Sequence, residues 1–130
     1  MSTESDILEL YRVVAVVGLS PNEERDSYRV AEYLQEQGYK VIPVNPMASE
    51  VLGEKSYPDL HAVPGKVEIV DIFRRASDVP PIVDQAIEKG AKVVWMQEGI
   101  VNEEAALLAR QAGITVVMDK CIKKVHQGLD

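Results

Sequence analysis

Gly18-Leu19-Ser20 closes the apolar run Val13-Val14-Ala15-Val16-Val17, and Arg25 follows in the same polar loop. Those residue types in that order suit a phosphate. A glycine turn lets a ligand approach the backbone. Free N–H groups at the head of a following helix favour negative charge, and a guanidinium can pair with phosphate as a fork. Arg74 stands in a comparable place, just after the strand read from Val67 to Phe73. Cys121 is the one thiol, set between Lys120 and Lys123-Lys124. Cations and a helix start lower a thiol pKa, which would serve an enzyme of thiol chemistry. Free cysteines are more often buried packing residues, and that reading is preferred.

Other chemistries find no support. There is no H-E-x-x-H, no pair of cysteines and no G-x-S-x-G, so neither a metal site nor a catalytic residue is assigned. Ser20 precedes a proline and has no obvious general base, which argues against a nucleophilic triad. His61 and His126 stand alone, and surface positions are expected for both. Arg25 also reads as a solvated charge among Glu23, Glu24 and Asp26, and Arg75 as a solvent-facing neighbour of Arg74. Ser20 and Ser27 could bond phosphate or merely cap the loop and helix.

These residues need elements to position them. Gly38-Tyr39-Lys40-Val41-Ile42-Pro43-Val44, Gly90-Ala91-Lys92-Val93-Val94-Trp95-Met96 and Gly113-Ile114-Thr115-Val116-Val117-Met118 share one grammar. A glycine ends a helix, and a short apolar run follows, as in a strand covered on both faces. Amphipathic segments fall between the strands: Ser27 to Gln37, one capped by Asp78 with Pro80 and Pro81 in its first turn, and Asn102 to Ala112. In the last of these, Ala105, Leu108 and Ala109 are expected to face inward. Lys55-Ser56-Tyr57 reads as a short edge strand, and Lys120 to Gln127 as a terminal helix or turn. Strands alternating with helices predict an α/β fold: a doubly wound parallel sheet in a Rossmann-like three-layer sandwich of five to six strands. The expected order is 3-2-1 and then outward through the strands near residues 67, 92 and 114.

Ligands of such sheets bind outside the carboxyl ends of the strands, at the switch between the first strand and the one at Val67. That edge collects Gly18-Leu19-Ser20-Pro21, Val44-Asn45-Pro46, Phe73-Arg74-Arg75, Met96-Gln97-Glu98-Gly99 and Asp119-Lys120-Cys121. The dinucleotide fingerprint G-x-G-x-x-G fails, because Ser20 and Glu23 stand where its later glycines belong. Asn45 replaces the ribose-binding carboxylate of a nicotinamide site. Trp95 reads as core, whereas Met96 and Gln97 are better ligand candidates.

Composition sets the outer bounds. The 130 residues suit a single domain, 1–130, with 46% apolar and 27% charged residues. A net charge of −7 argues against nucleic acid. It leaves room for a small anion, since screening over about 8 Å lets local cations dominate. No apolar run reaches the roughly 18 residues needed to cross a membrane. Met1-Ser2-Thr3-Glu4-Ser5-Asp6 is acidic and does not read as a signal peptide. One cysteine fits a reducing cytoplasm.

Together these segments resemble the CoA-binding domain family, stand-alone relatives of the N-terminal domain of the succinyl-CoA synthetase alpha subunit. The resemblance runs from about Val13 to Ile122. It is carried by Val16-Val17-Gly18-Leu19-Ser20-Pro21, Arg25-Asp26-Ser27-Tyr28, Gly38 to Pro46, Asp71-Ile72-Phe73-Arg74-Arg75, Val79-Pro80-Pro81, Trp95 to Gly99 and Cys121. It implies coenzyme A as the ligand. Gly18, Leu19, Ser20 and Arg25 would line the phosphate loop, with Val44, Asn45 and Pro46 at the adenosine end. Phe73 and Arg74 would flank the pyrophosphate or pantetheine, and Met96, Gln97 and Glu98 the pantetheine arm. The ligase subunit has a more glycine-rich first loop. Its second domain, with a phosphorylated histidine, has no counterpart after Ile122, so ligase activity by this chain alone is not expected. The expected role is binding of CoA or an acyl-CoA as a carrier, sensor or accessory module. The alternatives are an enzyme of thiol or acyl-CoA chemistry using Cys121, or an NAD(P)-responsive sensor that acts through a protein partner or a homo-oligomer.

Overall fold

The computed structural model describes residues 4–129. Met1 to Thr3, the start of the segment read above as no signal peptide, and Asp130 lie outside them. Five parallel strands form the sheet: β1 (Val13–Val17), β2 (Lys40–Val44), β5 (Ile69–Ile72), β6 (Val93–Met96) and β7 (Thr115–Val117). Their spatial order is β2-β1-β5-β6-β7, so the chain reverses its outward course between β1 and β5, as expected. A separate hairpin pairs β3 (Glu50–Val51) with β4 (Glu54–Lys55).

The sheet is covered on both faces, which is why its strands lack polar alternation. On one face α3 (Val79–Lys89) and α4 (Glu103–Gln111) press Val83, Ala86, Ala105 and Ala109 onto Ala15, Val70, Ile72 and Met96. On the other, α1 (Glu4–Leu10), α2 (Asp26–Glu36) and α5 (Ile122–His126) bring Leu8, Ala31, Leu34 and Ile122 against Val14, Val16, Ile69 and Trp95. Neighbouring residues of β1 thus serve opposite cores, as the two-residue period of a strand requires. The predicted three layers and five strands are present.

Several local expectations change. Lys55 pairs with Glu50 in the hairpin rather than joining an edge strand. Only Tyr57 bridges to β2: its N–H donates to the Pro43 carbonyl (3.1 Å), and its own carbonyl accepts from the Asn45 N–H (2.8 Å). Asp78 precedes α3 but makes no cap, because its carboxylate turns to Arg75 (3.4 Å) and Arg74 (3.8 Å). The buried stripe of α4 is Ala105, Ala106 and Ala109, and Leu108 is 40% exposed. The helix is rotated from the expected phase so that three small residues let it sit close to the sheet. Helix α1 has no counterpart in the sequence reading. It is held by Ile7 and Leu8 in the core and by the Tyr39 hydroxyl, which donates to the Leu8 carbonyl.

Candidate functional site

Three cavities line the carboxyl rim of the sheet. The middle one, of about 470 Å³, lies between the β1 loop and the head of α2, and Gly18, Ser20, Arg25, Ser27 and Phe73 line it. A smaller one of about 290 Å³ lies on the α3 side, with Val44, Pro46, Pro81 and Ile82 in its wall. The largest, of about 710 Å³, lies on the α2–α5 side and includes Val30, Phe73, Gln97, Glu98 and Cys121. Gly18 is common to the small and middle cavities, and Phe73 and Asp26 to the middle and large ones. Arg74 borders both the small and the large cavity. The result is one trough crossing the predicted switch point.

Gly18 is needed here for a reason the sequence did not reveal. Its φ is +89°, and a Cβ would lie 2.4 Å from the Phe73 carbonyl oxygen and 3.0 Å from Arg74 Cδ. The residue lets the loops after β1 and β5 touch, which closes the floor of the trough. The loop's own N–H groups are largely engaged. Gly18 donates to the Val44 carbonyl (2.8 Å), Ser20 to Ser27 Oγ (3.0 Å), Asn22 to Ser20 Oγ (3.0 Å) and Glu24 to Asn22 Oδ1 (2.9 Å). A ring of free donors at the turn, as expected for a phosphate cradle, is therefore absent. Open donors lie one step further on, at Asp26 and Ser27, the first two residues of α2, whose N–H groups have no partner within the helix. The exposed Arg25 guanidinium stands beside them, with no partner among the described residues. The Asp26 carboxylate at the same helix head opposes an anion.

Other candidates take different places from those expected. Leu19 and Met96 are fully buried in the two cores and line none of these cavities. The inward half of the strand period accounts for Met96, and packing against α2 for Leu19. Asn45 spends its side chain on the fold: Nδ2 donates to the Leu19 carbonyl (3.0 Å) and Oδ1 accepts from the Met47 N–H (2.8 Å). It ties the β1 and β2 loops together and leaves Pro46 and Val44 at the small cavity. Gln97 is 4% exposed and lines the large cavity. Its Oε1 accepts from the Ile122 N–H (3.1 Å), and its Nε2 has no partner among the described residues. Glu98 pairs with Lys124 (2.8 Å).

Arg75 is a solvent-facing neighbour, as expected, and Trp95 is core, with its indole N–H donating to the Lys120 carbonyl (2.8 Å). His61 is exposed. His126 is not a free surface residue. It is half-buried, bonded through Nδ1 to the Tyr33 hydroxyl and set edge-on to the rings of Tyr33 and Tyr39. Cys121 is 8% exposed, buried as its packing role requires, yet in the wall of the large cavity. Among the described residues no cluster could hold a metal ion.

A family model described as a CoA binding domain matches residues 12–127, nearly the whole chain. The chain belongs to the CoA-binding domain family. Within it, this CoA-binding domain is 42% identical over 121 residues to the uncharacterized protein YneT of Bacillus subtilis, covering 93% of this chain and 90% of that protein. It is 31% identical over 122 residues to the alpha subunit of the ADP-forming acetate–CoA ligase II of Pyrococcus furiosus. That match covers 85% of this chain but spans only 27% of the ligase subunit. Among solved structures, a hypothetical protein from Pyrococcus horikoshii superposes with a TM-score of 0.93 at 45% identity, covering 98% of this chain and 92% of that one. The apo dinucleotide-forming acetyl-coenzyme A synthetase 1 of Ca. Korarchaeum cryptofilum superposes at 0.71 with 28% identity, covering 81% of this chain and 25% of the synthetase.

The CoA-binding domain also carries two polar groups that sequence reasoning missed, one at the trough and one in the core. Arg29 lies one helical turn after Arg25, a spacing visible in the sequence, and lines the large cavity with Lys123. Asp71 is the other. It lies mid-strand between Val16 and Trp95, fully buried, and both carboxyl oxygens lack a hydrogen-bond partner among the described residues. Burial pushes its pKa well above the ordinary value of 3.8, because the charged form has no solvent. One acidic residue inside an otherwise apolar run was the available signal.

Proposed function

We propose that this chain binds coenzyme A or an acyl-CoA along the trough and performs no chemistry of its own, acting as a carrier, sensor or accessory module. The observation that carries this reading is the continuity of the three cavities through Gly18, Phe73 and Arg74 at the switch point of a CoA-binding domain. The small cavity, walled by Val44, Pro46, Pro81 and Ile82, suits the adenosine. The open N–H groups at the head of α2 and the Arg25 guanidinium suit the diphosphate. The pantetheine arm then passes Phe73 toward Gln97 and Glu98. A trough of successive apolar and cationic stretches matches a ligand that alternates in the same way.

Calorimetric titration with CoA, dephospho-CoA and NAD tests the proposal. Saturable binding of CoA, stronger than that of NAD, is expected. No saturable CoA binding, or tighter binding of NAD, overturns it.

A further inference from the structure

We infer that the large cavity is an acyl subsite that selects acyl groups ending in a carboxylate. This rests on the placement of the CoA diphosphate at the head of α2, proposed above, which leaves the thioester end facing the cavity beyond Phe73.

The walls of this cavity are of two kinds. Val30, Phe73, Ile100 and Leu129 offer apolar surface to a hydrocarbon chain. Around them stand five cations, of which three already have carboxylate partners: Lys124 pairs with Glu98 (2.8 Å), and Arg74 and Arg75 with Asp78 (3.8 and 3.4 Å). The remaining two are Arg29 and Lys123. Neither has a carboxylate partner among the described residues, and Lys123 Nζ instead lies 5.5 Å from the centre of the Tyr33 ring. Asp26 also lines the cavity and opposes an anion, but Arg29 and Lys123 outnumber it. The cavity thus sets two cations without carboxylate partners beside an apolar wall.

A neutral acyl chain would use the apolar wall and leave both cations in water. A free phosphate would use the cations and gain nothing from the wall. A short hydrocarbon with a terminal carboxylate uses both. Gln97 adds a third element. Its side chain is held by the Ile122 N–H, so the open Nε2 is a fixed N–H donor in the cavity wall, suited to the thioester carbonyl.

Glutaryl-CoA and pentanoyl-CoA have the same chain length and differ in the terminal carboxylate. Their dissociation constants, with that of CoA, are measured by calorimetry on the native chain at low salt. Glutaryl-CoA is expected to bind at least ten-fold more tightly than pentanoyl-CoA. The ratio should fall to near one in the double variant Arg29→Met/Lys123→Met. If CoA binds but glutaryl-CoA gains nothing over pentanoyl-CoA, the acyl subsite falls and the CoA reading stands. A preference that survives the double variant also overturns the assignment to these two cations. If CoA itself fails to bind, both readings fall.

Discussion

The two rims of the sheet are built from similar residues and do opposite things. At the amino rim, Glu68 precedes β5 and its Oε1 accepts the N–H groups of Arg12 (2.9 Å) and Val13 (3.1 Å), while Oε2 meets Lys66 (3.4 Å). Gly38, Gly90 and Gly113 turn the chain into β2, β6 and β7, and a Cβ on any of them would meet open space. At the carboxyl rim, Gly18 is pressed against the Phe73 carbonyl, Arg25 is uncommitted and Gln97 uses only half its amide. The amino rim satisfies itself and closes the fold. The carboxyl rim leaves donors and cations without protein partners among the described residues.

Glycine substitutions give the largest test of that contrast. Gly18→Ala is expected to destabilise by about 3 kcal/mol or more, combining left-handed strain of about 1–2 kcal/mol with an overpacked contact. Gly90→Ala, with a φ of +72° but open space, should lose only the strain, about 1 kcal/mol. Chemical denaturation of both variants checks this, and equal losses would erase the distinction between crowded and open glycines.

Two carboxyls three residues apart provide the next test. Asp71 lies unpartnered in the core, so its pKa is raised in the fold above 3.8. Between 3.8 and the folded value the unfolded chain is ionised and the folded one protonated, so stability falls as pH rises, by up to about 1.4 kcal/mol per pH unit. Asp71→Asn should remove that slope above pH 4. An unchanged pH profile would show that Asp71 finds a partner in solution. Glu68 has the opposite sign. Desolvation pushes its pKa up, but the N–H groups of Arg12 and Val13, with Lys66, outweigh it and hold the carboxyl below 4.5. Its stabilisation is present above pH 4.5 and is lost as pH falls through the folded value. Glu68→Gln should cost about 1–2 kcal/mol at pH 7 and converge with the native chain in acid.

The carboxyl-rim cations give the last test, read in affinity rather than stability. Arg25→Ala or Arg74→Ala should weaken CoA binding about ten-fold, or about 1.4 kcal/mol. Unchanged affinity would remove that arginine from the trough.

Much of this architecture was legible in the residues. The glycine-then-apolar grammar at 38–44, 90–96 and 113–118 placed three of the five strands, because a covered parallel strand needs an unbroken apolar run and a helix needs a left-handed stop. The rule that ligands bind at strand carboxyl ends brought Gly18, Phe73, Arg74, Gln97 and Glu98 to one rim. It could not tell Met96 from Gln97, because strand ends are uncertain by a residue and each step reverses the face. Leu108 failed for a related reason: a stripe of alanines and leucines fits more than one helical phase until the sheet chooses.

The sequence by itself determined the alternation of strands and helices, the switch point and the family. These depend on local periodicity and on short motifs in fixed order. Only the tertiary structure decided which polar groups remain free. Asn45 looks like a ligand contact in the sequence, and its amide is consumed by the Leu19 carbonyl and the Met47 N–H. Arg29 and Lys123 look like surface charges and meet at one cavity from elements almost a hundred residues apart. Hydrogen-bond satisfaction is a property of neighbours in space, and no reading along the chain supplies those neighbours.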